Sequence, residues 1–237
     1  MRHYDGEKKN TVCEHEDGSP VKLGQGGFGA VYKALQDGVR IVAVKISNND
    51  ISLKTSRNNN AFWREIELIA SCRDRNILQF YGAAVNGPEV LLVTEFCDRG
   101  DLYHAISDQE TEHVEGELCW YNRGKGIALD VARGLFSLHS RRIVHLDVKS
   151  LNVLLTQEYL AKVADVGVTI AADIWSFGVI MWELLTGERP RRGLYRDPLV
   201  PEEGPASAVE LMRACMEEDP LLRPTAGEIV TILQRSD

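Results

Sequence analysis

The stretch HLDVKSLNVLL at residues 145–155, followed by DVG at residues 165–167, decides the fold of this chain. It carries an aspartate, a lysine, an asparagine and a second aspartate, at Asp147, Lys149, Asn152 and Asp165. A lone aspartate or asparagine in a loop is more often a turn or capping residue. The joint spacing instead predicts phosphate chemistry, in which Asp147 orients or deprotonates an attacking hydroxyl and Lys149 holds a phosphoryl group. The amide oxygen of Asn152 and the carboxylate of Asp165 are ligands that suit magnesium.

A glycine-rich segment, GQGGFGAV at residues 24–31, lies between two predicted strands. Residues without side chains allow backbone amides to approach phosphate oxygens, so Gly24, Gly26 and Gly29 are candidate nucleotide-binding positions. A glycine-rich hairpin that binds nothing looks the same in sequence, so this segment is weak support by itself. The strand setting argues against a dinucleotide site, whose glycines lead into a helix.

The next strand contains VAVK at residues 42–45 and places the ammonium group of Lys45 where it could neutralise phosphate charge. A lysine on a strand is usually only solvated. Glu65 lies on the helix predicted to follow, and an ion pair with Glu65 would orient Lys45. Glu67 is the alternative partner, on a different face of that helix, so the two glutamates cannot both face the lysine.

The composition predicts a globular protein inside the cell. A chain of 237 residues with 44% hydrophobic content can fill the core of one large domain or two small lobes. Its apolar runs fall far short of the roughly 18 residues of a membrane span, and its start lacks the apolar stretch of a secretory signal. Five scattered cysteines are predicted to be reduced and structural. The net charge of −8 disfavours nucleic acid and anionic lipid, so we expect a cytoplasmic protein with neither nucleic-acid nor membrane partners.

The order of the predicted elements is strands first and helices second, which favours an α+β fold with two lobes over a doubly wound sheet. Residues 1–20 are polar and are predicted to be a mobile lead-in without chemistry. Residues 21–94 would form a small antiparallel sheet with one amphipathic helix, and residues 95–100 a hinge. Residues 101–237 would form a larger, mainly helical lobe.

Local patterns predict three helices in the second lobe. One apolar stripe recurs at helical spacing, at Ile127, Val131, Leu135 and Leu138. A second stripe, from Ile174 to Leu184, stops before Gly187, which can adopt the left-handed conformation of a helix end. Thr225 and Glu228 have the spacing of a capping box at the start of the last helix.

Taken together, these motifs resemble the signature set of eukaryotic protein kinases over residues 21–233, nearly the whole chain. The resemblance implies a two-lobed fold that binds ATP and magnesium between its lobes and transfers the γ-phosphate to a protein hydroxyl. It assigns the family's strand lysine to Lys45, its helix glutamate to Glu65 and its catalytic aspartate to Asp147. The family's metal-binding asparagine and aspartate correspond to Asn152 and Asp165.

The resemblance also implies an adenine site. The family's hinge corresponds to the segment from Glu95 to Cys97, behind a gatekeeper at Thr94, and backbone groups there would hold the adenine edge. Apolar side chains would sandwich the two faces of the ring, although each of them fits equally well as a core residue: Val31, Ala43 and Leu154.

Further segments are similar to the tyrosine kinase-like group of that family: Lys149-Ser150, WELLTG at residues 182–187 and CMEEDPLLRPT at residues 215–225. Members of that group usually phosphorylate serine or threonine. The resemblance therefore implies a protein substrate that is modified on serine or threonine, and it leaves the oligomeric state open.

The chain departs from the family pattern in three places. Leu146 replaces the arginine that usually contacts an activation-loop phosphate, and Val166 replaces phenylalanine in the metal-binding turn. Only residues 168–172 stand where the family carries an activation segment and substrate platform of a few dozen residues. Arg223 thereby loses its usual glutamate partner. Because a buried arginine without a partner is destabilising, we expect either that solvent reaches Arg223 or that the lobe is weakened.

Three functional interpretations follow. The first is a protein serine/threonine kinase, of which this chain is a version with an incomplete activation segment. The second is a nucleotide-binding pseudokinase scaffold, favoured by the missing substrate platform and opposed by the retained set Lys45, Asp147, Asn152 and Asp165. The third is a small-molecule kinase of related fold, which the carboxyl-terminal similarity to protein kinases opposes.

Overall fold

The computed structural model describes residues 10–26, 29–47, 66–67, 70–86, 89–112, 117–145, 147–165, 173–188, 205–217 and 222–235. Its strands are β1 (Asn10–Val12), β2 (Lys22–Gly26), β3 (Gly29–Gln36), β4 (Arg40–Ser47), β5 (Phe80–Asn86), β6 (Glu89–Glu95), β7 (Val153–Leu155) and β8 (Ala161–Val163). Its α-helices are α1 (Leu102–Glu112), α2 (Lys125–Ser140), α3 (Asp173–Thr186), α4 (Ala206–Cys215) and α5 (Ala226–Arg235).

The chain divides into two compact units. The sheet unit comprises Met1–Arg73 and Leu78–Phe96, and the helical unit comprises Asp74–Ile77 and Cys97–Asp237. The six strands β1 to β6 form one antiparallel sheet in the order β1-β3-β4-β6-β5, with β2 also paired to β3. The five α-helices and the short β7–β8 pair belong to the helical unit. The predicted α+β class, with a small antiparallel sheet and a larger helical part, is confirmed.

Alternation along the strands separates the sheet unit into two faces. The side chains of Ala34, Val42, Val44 and Val93 are at most 3% exposed and pack together as the core of the sheet. Successive residues of a strand point to opposite faces, so the residues between these core positions lie on the other face.

The first strand was not expected. Residues 1–20 were predicted to be a mobile lead-in, whereas Asn10–Val12 pairs with β3 in the register Asn10 opposite Gln36 and Val12 opposite Ala34. The backbone of Cys13 continues the ladder, because its N–H donates to the carbonyl of Lys33 at 2.9 Å. A strand at a sheet edge keeps one side in water, so polar residues are tolerated there and the apolar pattern that identifies central strands is absent.

The helical unit follows the predicted stripes. Ile127, Val131, Leu135 and Leu138 are all at most 1% exposed on α2. Helix α3 ends at Thr186, and Gly187 follows with a φ of 68° while its N–H donates to the carbonyl of Glu183 at 2.9 Å. Both predictions are confirmed.

The capping box of α5 is confirmed as well. The backbone N–H of Thr225 donates to Oε2 of Glu228 at 2.8 Å, and the N–H of Glu228 donates to Oγ1 of Thr225 at 3.3 Å. These two bonds satisfy backbone amides that the first turn of a helix leaves without partners. The two bonds fix the start of α5.

None of the five cysteines forms a disulfide. Cys72, Cys97 and Cys215 are buried, and burial raises the pKa of the Cys215 thiol to about 12. A thiol with so high a pKa is a poor nucleophile, which fits the predicted structural role. In the part of the chain that the structure describes, no helix combines the length and the apolar character needed to cross a membrane.

Candidate active site

One face of the sheet unit carries four residues that were predicted to contact a nucleotide. Strands β3 and β4 place Val31 opposite Lys45, and strands β4 and β6 place Ala43 opposite Thr94. Directly opposed residues share a face of a sheet, and so do residues two apart on one strand. Val31, Ala43, Lys45 and Thr94 therefore lie together, all half-buried, on the face opposite the apolar core.

The glycine-rich hairpin lies along β2 and β3. Gly24 pairs with Val31, and a methyl group added at Gly24 would meet no atom of the described residues within 4 Å. Packing within this unit therefore does not require glycine at position 24. Gly26 pairs with Gly29 at the end of the hairpin, where Gly29 has a φ of 137° that favours glycine. The two residues at the tip, 27 and 28, lie outside the described residues.

The predicted ion pair of Lys45 stays a prediction. Lys45 lies on β4 opposite Val31 and Leu92, whereas Glu65 lies outside the described residues. Residues 66–67 and 70–71 of the predicted helix are described and are helical. The alternative partner, Glu67, is exposed.

The predicted hinge begins at the end of β6. Glu95 donates its backbone N–H to the carbonyl of Gln79 at 2.9 Å, and its Oε1 accepts the N–H of Gln79 at 2.6 Å. The hydroxyl of Thr94 donates to the carbonyl of Glu95 at 3.2 Å. In the helical unit, Cys97 is buried and its carbonyl accepts the N–H of Gly100 at 3.3 Å. These bonds fix the backbone at both ends of the hinge segment.

The other predicted adenine contact, Leu154, belongs to the helical unit. It is half-buried on β7, opposite Lys162 of β8, and its backbone also forms an isolated bridge with Asp101. Lys162 and Asp101 also belong to the helical unit. The predicted nucleotide contacts are therefore divided between the two units.

The predicted catalytic residues meet in one short turn of the helical unit, which we call the catalytic turn (residues 147–152). Nζ of Lys149 lies 2.6 Å from Oδ2 of Asp147, and Nδ2 of Asn152 donates to the same Oδ2 at 3.0 Å and to the carbonyl of Asp147 at 2.8 Å. The carboxylate is about three-fifths exposed, at 61%. Its Oδ1 makes no hydrogen bond among the described residues, so one oxygen is held in place and the other faces outward.

A buried histidine supports this turn. His145 is fully buried, with Nε2 at 2.6 Å from the carbonyl of Ala164 and Nδ1 at 3.3 Å from the backbone N–H of Asp147. A carbonyl can only accept and a backbone N–H can only donate, so the ring carries its proton on Nε2. The imidazole therefore ties the backbone of Asp147 to the segment that leads into Asp165.

Asp165 directly follows that segment and is exposed. Its φ is 58°, in the left-handed region that residues other than glycine rarely adopt and that is frequent at functional sites. The N–H of Ala164 donates to the carbonyl of Asn152 at 2.8 Å. This backbone bond brings the segment of Asp165 next to the catalytic turn, so the two predicted metal ligands come from adjacent segments.

These two residues fit a magnesium ion by the chemistry of their donors. Both Nδ2 hydrogen bonds of Asn152 go to Asp147, which leaves its Oδ1 without a hydrogen bond among the described residues. One amide oxygen and one carboxylate are the hard ligands that magnesium prefers, together with water and phosphate oxygens. In the described part of the chain, no three His, Cys, Asp or Glu side chains form a metal-binding group.

Sequence reasoning did not identify the supporting role of Asp173. This residue begins α3 and is 1% exposed. Its Oδ2 accepts the backbone N–H of His145 at 2.8 Å and lies 3.0 Å from Nε2 of His139. The start of α3 therefore holds His145, two residues before the catalytic turn.

A second buried acid, Glu183, was also overlooked. It is 4% exposed on α3, and its Oε1 accepts the hydroxyl of Ser150 at 3.0 Å. Desolvation raises the pKa of Glu183 from 4.5 to about 7, and the hydrogen bond from Ser150 opposes that rise. Its Oε2 has no hydrogen-bond partner among the described residues. A signal was present in the sequence, because Asp173 and Glu183 are the only charged residues in an otherwise apolar helix.

For one of the departures from the family pattern, the structure shows the consequence. Arg223 is only half-buried, and its Nε donates to the carbonyl of Glu217 at 2.8 Å. Of the two expected alternatives, the structure therefore favours solvent access. Leu146, Val166 and residues 168–172 lie outside the described residues.

Two known protein families match parts of this chain. It matches "Protein kinase domain" over residues 19–172 and "Protein tyrosine and serine/threonine kinase" over residues 168–233. The two matches meet in residues 168–172, the short segment that the sequence comparison with kinases singled out. The first match alone covers well over half of the chain.

Individual relatives are similar over nearly all of the chain. It is 32% identical over 98% of its length to a protein of Acanthamoeba polyphaga mimivirus named as a serine/threonine-protein kinase/receptor, of which it covers 17%. It is 28% identical over 90% of its length to the serine/threonine-protein kinase STY17 of Arabidopsis thaliana, covering 43% of it. Similarity to the dual specificity protein kinase shkB of Dictyostelium discoideum is 27% over 88% of the chain and 38% of that protein.

The chain thus spans less than half the length of each of these relatives. The family matches nevertheless agree with the fold and with the resemblance drawn from its motifs. This chain belongs to the protein kinase domain family.

Proposed function

We propose that this chain is a protein serine/threonine kinase, which transfers the γ-phosphate of ATP to a protein hydroxyl with magnesium. The observation that carries the proposal is the catalytic turn, in which Lys149 and Asn152 both donate to one oxygen of Asp147 and leave the other facing outward. Family membership supports phosphoryl transfer, and the names of the relatives support serine or threonine as the acceptor.

In the proposed reaction, Oδ1 of Asp147 accepts a hydrogen bond from the substrate hydroxyl and directs its oxygen toward the γ-phosphorus. A bond forms between that oxygen and phosphorus while the bond from phosphorus to the bridging oxygen of ADP breaks. The hydroxyl proton passes to Asp147. Lys149, which lies beside the second oxygen of the same carboxylate, holds the transferred phosphoryl group through its positive charge.

Asn152 and Asp165 would hold magnesium, which when bound neutralises charge on the phosphates. Asn152 contributes an oxygen whose direction is fixed, because its Nδ2 is bound to Asp147 at two points. Lys45 would bind phosphate oxygens from the sheet unit, with Glu65 as its orienting partner.

The remaining nucleotide contacts are proposed from the sheet face and the hinge. Gly24, Gly26 and Gly29 would bring backbone amides to the phosphates, since no described residue of the sheet unit fills the space beside Gly24. The backbone of the segment from Glu95 to Cys97 would bind the adenine edge behind Thr94. Apolar contacts to the ring would come from Val31, Ala43 and Leu154.

The test is the variant Asp165→Ala, assayed with Mg²⁺·ATP and with casein and myelin basic protein as acceptors. Loss of a principal metal ligand is expected to lower phosphoryl transfer at least about 1,000-fold. Asp165 is exposed, so the thermal unfolding midpoint should change little. Phosphoamino-acid analysis of the wild-type product should show phosphoserine or phosphothreonine.

The matched control is Asp17→Ala, which removes another exposed aspartate that makes only a local turn contact with Ser19. This variant should retain wild-type transfer. Equal activity in Asp165→Ala and wild type would refute the metal role. Magnesium-dependent ATP binding without transfer to any acceptor would identify a pseudokinase scaffold instead.

A further inference from the structure

Helix α3 contacts the catalytic region at two separate points. Its only charged residues are Asp173 and Glu183, and both are buried, at 1% and 4% exposure. Asp173 accepts the backbone N–H of His145, ahead of the catalytic turn. Glu183 accepts the hydroxyl of Ser150, inside the turn. Ten residues of α-helix separate the two acids, a rise of about 15 Å, so these are two distinct anchors.

Ser150 lies at the centre of the proposed chemistry, although its own side chain faces away from solvent. It is 3% exposed and begins the single 3₁₀ turn Ser150–Asn152. The N–H of Asn152 donates to the carbonyl of Lys149 at 2.8 Å across this turn. The hydroxyl of Ser150 therefore fixes the first of the two residues, Ser150 and Leu151, that connect Lys149 to Asn152.

The pair is unusual as a purely structural contact. Buried side-chain oxygens are nearly always satisfied by hydrogen bonds, yet in the part of the chain that the structure describes Oε2 of Glu183 has no hydrogen-bond partner. An apolar residue of similar volume would fill the same space in this apolar helix without leaving an oxygen unsatisfied. What such a residue could not do is accept the hydroxyl of Ser150. The role of Glu183 as a hydrogen-bond acceptor for Ser150 therefore requires an explanation.

We propose that Glu183 is a positioning residue, which fixes the turn Ser150–Asn152 through the hydroxyl of Ser150 and thereby directs Asn152 toward its metal and Lys149 toward the phosphoryl group. This inference rests on the proposed kinase function, since it assigns a purpose to the placement of those two side chains. Glu183 touches neither substrate nor metal and acts only through Ser150.

The experiment compares Glu183→Leu, Ser150→Ala and Glu183→Gln. For each variant we measure kcat, the Mg²⁺ concentration that gives half-maximal rate, and hydrogen exchange at the amide of Asn152. Removing either partner should lower kcat about tenfold and raise the required Mg²⁺ about fivefold or more, the size expected for residues that support a metal ligand. Exchange at Asn152 should accelerate. Glu183→Gln keeps an oxygen acceptor and should remain within about threefold of wild type.

Two further variants separate positioning from stability. Thr186→Val removes a hydrogen bond on the same helix, from the Thr186 hydroxyl to the carbonyl of Trp182 at 2.8 Å, without reaching the catalytic turn. It should lower the unfolding midpoint while leaving the Mg²⁺ requirement unchanged. The double variant Ser150→Ala/Glu183→Leu should be no worse than the more impaired single variant, because both remove the same contact.

The proposal is overturned if Glu183→Leu and Ser150→Ala behave like Thr186→Val, with a lower midpoint but wild-type Mg²⁺ dependence and wild-type exchange at Asn152. Failure of this proposal can be distinguished from failure of the proposed kinase function. If the wild-type chain transfers phosphate to no acceptor, the proposed function fails, and the exchange measurement still decides whether Glu183 fixes the turn.

Discussion

Lys45 and Asp147 are both proposed to act on phosphate, but the two units position them by different means. Lys45 takes its place from strand alternation and from its backbone register opposite Val31 of β3 and Leu92 of β6. Asp147 is held by a network that reaches across the sequence, because the residues around it are bound to α3 by contacts 28 and 33 residues apart. The first arrangement rests on backbone pairing between strands, whereas the second rests on hydrogen bonds of buried side chains.

This difference predicts how the two regions respond to mutation. A side chain placed by alternation can be replaced without moving the strand, so activity can be lost while stability is kept. A buried polar network that positions a side chain also stabilises the fold. Mutations in such a network should therefore lower activity and stability together.

The largest effect is expected from Asp173→Ala. This change leaves the buried N–H of His145 without its acceptor and His139 without its carboxylate neighbour. Loss of one partner of a buried polar pair typically lowers the free energy of unfolding by about 3 to 4 kcal/mol. Kinase activity should fall as well, because His145 supports Asp147. Urea denaturation and the transfer assay measure the two effects on the same preparation.

Asp173→Asn is the matched control, since it keeps the shape and one acceptor oxygen and should lose less stability. The contrast between the regions would be broken if Asp173→Ala unfolded at the wild-type urea concentration.

The next effect is a dependence of stability on pH that originates in the helical unit. The pKa of Glu183 is about 7 in the folded chain and 4.5 as its ordinary value. Between those values the folded state binds a proton that the unfolded state has released, so the free energy of unfolding decreases as pH rises through this window. At about 1.4 kcal/mol per pKa unit, the decrease is at most about 3.5 kcal/mol, absent below the lower pKa and complete above the upper one.

Glu183→Gln cannot titrate and should remove this decrease. The measurement is the difference in unfolding free energy between wild type and Glu183→Gln, from about pH 5 to about pH 8. Identical slopes for the two proteins would show that Glu183 does not cause the pH dependence.

A smaller total effect, confined to activity, is expected from Lys45→Met. Removing the ammonium group should lower phosphoryl transfer about 100-fold. The free energy of unfolding should stay within about 0.5 kcal/mol of wild type, because Lys45 lies on the sheet face opposite the apolar core. Parallel kinetic and urea measurements test the separation.

Lys33→Met is its control. Lys33 lies on the same sheet face as Lys45, with its Nζ 4.7 Å from the centre of the Phe96 ring, and has no proposed role in catalysis. It should retain activity. If Lys45→Met destabilised the chain as much as Asp173→Ala, the sheet face would not be the independent region described here.

The parts of this molecule that sequence predicts are those determined by short-range patterns. The stripe on α2, the end of α3 at Gly187 and the capping box at Thr225 depend on residues within a few positions of one another. The shared sheet face of Val31 and Lys45 also follows from local rules, because hairpin pairing and strand alternation specify it. The close grouping of Asp147, Lys149 and Asn152 follows from their short spacing.

The sequence does not predict contacts between residues that lie far apart along the chain. Strand β1 has no apolar pattern of its own and forms because β3 offers an edge to pair with. The bond between Ser150 in the catalytic turn and Glu183 on α3 joins residues that no local rule relates, and only the burial of both side chains makes a hydrogen bond necessary. Glu65 lies outside the described residues, so its predicted pairing with Lys45 stays a prediction.

Strand β1 also affects how this domain can be shortened. A fragment cut to the family-matched region would begin at residue 19 and lose Asn10–Val12. Backbone groups of β3 from Ala34 to Gln36 would then be open to pairing with another polypeptide. Strand β1 has no assigned chemistry. By pairing with β3 it covers this part of the sheet edge and should thereby reduce self-association through that edge.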